Sequence, residues 1–143
     1  MRAFILMLGA VALLASCSGT QQNGNSDALA GNPAGDSLEL IGKTVLLKYS
    51  TGMMAEVSYV SPTSVHWATF ENGEATGEGD EELTYQRLNG YQFFLSWIEA
   101  DGSTVSQVVD LKGLTVTAFL TFADEDGRGG RGSQLLQGGV ELK

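Results

Sequence analysis

Cysteine occurs once in these 143 residues, at Cys17, so no disulfide can form within the chain and no thiolate cluster can hold a metal. Histidine also occurs once, at His66, which leaves carboxylates as the only other ligands for a zinc ion; no metal site and no cofactor are expected. Basic residues are scarce: 8 Lys plus Arg face 17 Asp plus Glu, a formal charge of -9 that makes nucleic acid and anionic lipid headgroups poor partners. Proline appears twice against 19 glycines, a balance that favours many tight turns between strands. The longest apolar run, residues 4–14, falls well short of the roughly 20 residues a spanning helix needs. Beyond that run nothing longer than a turn shows helical periodicity, save a possible short segment over 37–41. No Gly-x-Ser-x-Gly elbow is present, so a hydrolase triad has no support.

What the N-terminus does contain is a charged start at Arg2, the apolar run, and then Leu14-Ala15-Ser16-Cys17. That tetrapeptide resembles the lipobox of bacterial lipoproteins. The resemblance implies a signal peptide over residues 1–16, cleavage before Cys17, and acyl chains on the Cys17 thiol and amine. With Ser18 rather than Asp next to the cysteine, the implied destination is the outer membrane, facing the periplasm. At roughly 0.8 kcal/mol per buried methylene, two or three such chains anchor a protein without other membrane contact. Residues 17–37 are built from Gly, Asn, Gln, Ser, Asp and Ala with Leu29 as the one large aliphatic residue, and read as a flexible tether. A random coil of this length spans about 25 Å.

Residues 38–143 read as a single all-β domain. Eight strands are expected, over 43–50, 53–61, 64–70, 81–88, 91–99, 103–111, 114–123 and 135–142. Turn residues Thr51-Gly52, Pro62-Thr63, Asn89-Gly90, Asp101-Gly102 and Lys112-Gly113 separate them at hairpin spacing. Consecutive hairpins give an antiparallel up-and-down meander, and eight strands close into a lipocalin-like β-barrel wide enough for side chains or one small ligand. In the fifth strand Tyr91, Phe93, Leu95 and Trp97 share one large apolar face, and the period of two places Glu99 on it as well. The acidic run Glu71, Glu74, Glu78, Asp80, Glu81 and Glu82 reads as a solvated loop. Arg128 and Arg131, on the Gly-rich loop before the last strand, read as compensating the neighbouring acids Asp124, Glu125 and Asp126.

Gly42-Lys43, Tyr49-Ser50-Thr51-Gly52, Tyr91, and the pattern Ser96-Trp97-x-Glu99-x-x-Gly102-x-x-Val105-x-x-x-x-Asp110 resemble the MoaF-like domain over residues 40–122. This family of small calycin-type barrels is related to the bacterial phenolic acid decarboxylases. The resemblance implies that Glu99 matches the decarboxylases' proton-exchanging glutamate and Tyr49 the second of their two carboxylate-binding tyrosines. It also puts Leu47 where the first tyrosine belongs and Glu78 where an arginine belongs. Two carboxylate-binding groups are thus missing and a like charge replaces the cation, so phenolic acid decarboxylation is not expected.

Three functions are compatible with this reading. The first is a lipid-anchored module that binds a small apolar or aromatic ligand in the barrel lumen, with Tyr49, Phe93, Trp97 and Glu99 as contacts. The second is an enzyme for a phenolic or enol-type substrate, with Glu99 as general acid or base and Tyr49 as donor. The third is a cell-envelope interaction or inhibitor protein with a filled barrel.

Overall fold

A computed structural model describes residues 37–143. The expected signal peptide, Cys17 and nearly all of the expected tether lie outside these residues. Nine antiparallel strands form one curled sheet: β1 (Thr44–Tyr49), β2 (Met54–Ser61), β3 (Ser64–Glu71), β4 (Glu74–Glu82), β5 (Thr84–Arg87), β6 (Gln92–Ile98), β7 (Thr104–Asp110), β8 (Thr115–Ala123) and β9 (Arg131–Leu142). The order across the sheet is β4-β3-β2-β1-β9-β8-β7-β6-β5. Apart from β4 and β5, neighbours in sequence are neighbours in space, and β9 returns to pair with β1, as an up-and-down barrel requires. The ring is interrupted between β4 and β5, which carry no ladder to each other, although β4 approaches β6 across that seam. The all-β meander expected from the sequence is therefore correct, while its closed eight-stranded form becomes a nine-stranded half-barrel with one open seam.

The additional strand is β4, in the acidic run expected to be a loop. Asn72 and Gly73 both adopt left-handed backbone, with φ of 51° and 83°, and turn β3 back into β4. The inward positions of β4 are Gly77, Gly79 and Glu81, while Glu78 and Asp80 face solvent. Its inner face thus brings almost no apolar surface of its own. Trp67 on β3 supplies it instead: a Cβ on Gly77 would lie 3.3 Å from the Trp67 ring, and one on Gly79 would lie 3.0 Å from its Nε1. The outward charges discourage pairing of this free edge with another chain.

Alternation along the strands fills the lumen. Val45 and Leu47 of β1, Val57 and Tyr59 of β2, Phe93, Leu95 and Trp97 of β6, and Val116 and Ala118 of β8 are all buried. One end of the barrel is sealed. There Leu40 is fully buried, and Arg87 donates hydrogen bonds to the Leu38 carbonyl (2.9 Å) and to Glu39. Residues 37–40 have no regular secondary structure and lead into a turn at 41–42, in place of the helical piece considered from sequence. The start of β8 also differs from expectation. Leu114 takes a φ of 51° in the turn and is exposed, so the inward face begins at Val116.

A candidate ligand cavity at the open end of the barrel

Position along each strand sets depth in the barrel. β1 and β6 run from the sealed end toward the open one, so Tyr49, Trp97 and Glu99 come last and lie nearest the mouth. Large side chains, Tyr59, Phe93, Leu40 and Leu47, fill the sealed half. Toward the mouth the inward positions shrink to Ala55, Thr69 and Gly77, and a cavity of about 320 Å³ opens among them. Its wall includes Tyr49, Trp67, Trp97, Glu99, Asp101 and Gln107. This volume falls at the lower end of the range for small-molecule pockets, roughly 300 to 1,000 Å³.

Three of the four residues expected from sequence come together here: Tyr49, Trp97 and Glu99. Phe93 is placed elsewhere. It is fully buried below the cavity, 6.1 Å from the Tyr85 ring and 5.0 Å from the Arg87 guanidinium. Most of the cavity wall comes from residues that sequence reasoning left outside the site, Trp67 and Gln107 among them. Trp67 is brought in by the Asn72-Gly73 hairpin and the two β4 glycines, Gly77 and Gly79, and those four residues were the available signal. Gln107 sits among aliphatic neighbours on the inward face of β7, where a buried amide is itself a sign of a polar task.

The polar groups of this wall are incompletely paired. Gln107 is 2% exposed and its Nε2 donates to the Tyr59 hydroxyl at 2.6 Å, yet its Oε1 has no partner. Turning the amide over exchanges the two atoms and leaves the nitrogen unpaired instead. The indole N–H groups of Trp67 and Trp97 are likewise buried without a hydrogen-bond acceptor. An indole N–H can only donate, so each lacks the one bond it can make. Leaving such a group unpaired costs about 1 to 3 kcal/mol.

Burial pushes the Tyr49 hydroxyl well above the ordinary phenol range, so it stays neutral. Burial also raises the Glu99 carboxyl; the nearby Trp97 N–H opposes that, although it does not reach hydrogen-bond geometry, and the charges of Asp101 and Glu81 add to the rise. Asp101 is exposed at the rim and is held below the usual carboxylate range, chiefly by the Ser103 N–H, which donates to it at 2.7 Å. Arg131 lies close by. Its guanidinium donates to the Gly102 carbonyl (3.0 Å) and to Thr121 Oγ1 (2.8 Å), and its charge further lowers Asp101. His66 is outside the cavity and its Nδ1 lies 2.9 Å from Asp80 across the β3–β4 ladder. Leu47 is fully buried and Glu78 faces outward, so neither the tyrosine nor the arginine position of the decarboxylases contributes a polar group to the cavity.

A family model described as MoaF-like matches residues 41–133, which covers the barrel from its entry into β1 to the start of β9. The chain belongs to the MoaF-like family. No curated protein sequence matches it. Among solved structures it is similar to a provisionally named beta-lactamase from Burkholderia vietnamiensis, with 22% identity and a TM-score of 0.61 over 74% of this chain and 97% of that one. At that identity the likeness shows a shared fold. For this MoaF-like barrel the Ser96-to-Asp110 pattern has a structural reading. Ser96 bonds to Ser106 across β6 and β7 (2.8 Å), Trp97 and Val105 pair on the cavity wall, and Asp110 receives the Lys112 and Gly113 N–H groups at the next turn (2.9 and 2.6 Å).

Proposed function

We propose that this MoaF-like chain is a ligand-binding module of the bacterial cell envelope, held by lipid on Cys17 and taking a small apolar or aromatic molecule into the open end of its barrel. The observation that carries this reading is the cavity itself: aromatic walls and three buried polar groups that lack partners within the protein. A ligand that supplies those partners recovers the lost hydrogen bonds and removes apolar wall from water at once. The lipobox-like residues at Cys17 support the anchored placement.

Binding is read by intrinsic fluorescence, because the chain's two tryptophans both line the cavity. Aromatic fragments added to the purified full chain are expected to change the emission saturably, and Tyr49→Phe and Glu99→Gln are expected to shift the apparent affinity with the fold intact. Emission that no fragment alters would favour the interaction-protein reading.

Catalysis is the second reading, and the raised Glu99 carboxyl inside a cavity supports it. Glu99 would act as general acid or base on a phenolic or enol-type substrate. Turnover by the parent chain that is lost in a Glu99→Gln variant of unchanged fold would bring that reading forward.

A further inference from the structure

The charges around the cavity are one-sided. Glu99 and Asp101 line it, Glu81 lies near enough to act on Glu99, and among the described residues no Lys, Arg or His belongs to the wall. Arg131, whose charge acts on Asp101, is not part of the wall, and its guanidinium is engaged by Gly102 and Thr121. Carboxylates at the mouth of a low-dielectric cleft concentrate the field and draw in positive charge. The same wall carries the rings of Tyr49, Trp67 and Trp97, whose electron-rich faces also attract cations. The indole N–H groups of Trp67 and Trp97, buried without an acceptor, call for a lone pair rather than another N–H.

Resting on the reading of this cavity as a ligand site, we propose that it selects a small organic ammonium ion: the cation between Glu99 and Asp101, an apolar or aromatic body along the rings, and a neutral oxygen acceptor toward the indole N–H groups. A carboxylate ligand is rejected at the same mouth. It would meet two like charges with no cation on the wall to receive it. An ammonium ion instead relieves the conditions that favour a neutral Glu99, since it offsets both the burial of the carboxylate and the charges of Asp101 and Glu81.

Four matched probes separate the parts of this inference: para-acetylbenzylamine, para-methylacetophenone, para-acetylbenzoate and para-ethylbenzylamine. Each is titrated against the purified full chain at low salt, with tryptophan emission and calorimetry as readouts. The acetylbenzylamine is expected to bind at least about tenfold more tightly than the benzoate, and the gap narrows with added salt. Replacing acetyl by ethyl is expected to cost about tenfold through the lost acceptor. Glu99→Gln is expected to reduce the amine's affinity about fivefold, toward that of the uncharged ketone. Equal affinity for all four probes, or tightest binding of the benzoate, would overturn the ammonium inference while leaving a ligand cavity in place. If no probe binds in either readout, both this inference and the binding reading fall.

Discussion

Glu99 stands at the end of an aromatic stripe, half in the lumen and half in water, and burial raises its carboxyl above the ordinary value. The sign of the linkage follows. A carboxyl whose folded pKa lies above its unfolded value destabilises the fold once it ionises, so the penalty is absent below the ordinary carboxylate range and grows as pH rises toward the raised value. Glu99→Gln removes that penalty. Its melting temperature is expected to equal that of the parent chain at about pH 3 and to exceed it at about pH 7. A variant less stable than the parent at neutral pH would mean that the Glu99 carboxylate holds a favourable partner. At this scale Tyr49, Trp97 and Glu99 were legible because alternation and the family pattern agree on them. Gln107 shares its face with Val105 and Val109, and only its burial with one atom unpaired distinguishes it, which alternation alone does not report.

Among the elements, β4 shows where sequence patterning stops. A strand is normally announced by β-branched or aromatic residues on its inner face. β4 has Gly77 and Gly79 there, because the space is taken by Trp67 from the neighbouring strand. A side chain contributed by the partner strand leaves no mark on the strand that accepts it. The other elements were readable, since their turns carry Gly at positive φ, as at Gly52 and Gly102, and their inner faces are aliphatic. β9 was recognised over its last eight residues only, because Arg131, Gly132 and Ser133 continue a Gly-rich loop in sequence while pairing with Ala123, Phe122 and Thr121 in the sheet. Its Gly138 has a sharper requirement. A Cβ there would stand 2.2 Å from the Lys48 carbonyl oxygen, at the β1–β9 pairing that joins the two ends of the domain. Neither backbone can yield without breaking that ladder. Gly138→Ala is expected to destabilise the domain by about 3 kcal/mol, read as a lowered denaturant midpoint. An unchanged midpoint would show that β1 and β9 pair less closely than described.

As a whole molecule, the chain joins a barrel sealed at one end and open at the other to an N-terminal segment with lipobox-like residues. If Cys17 is acylated, Cys17→Ser eliminates lipid incorporation in cells fed a tagged fatty acid, and the protein leaves the membrane fraction or stays unprocessed. Labelling that persists in the variant would contradict the anchor. Binding nevertheless turns on the open end of the barrel, where occupancy by a ligand and filling by the protein's own side chains make opposite predictions. The two indole N–H signals of a nitrogen–proton correlation spectrum report on it directly, because Trp67 and Trp97 are the chain's two tryptophans and both border the cavity. On titration with acceptor-bearing aromatic fragments, both signals are expected to move downfield as each N–H gains a hydrogen bond. Indole signals that stay fixed against every fragment would mean that the cavity is not open to ligands and would contradict the binding function.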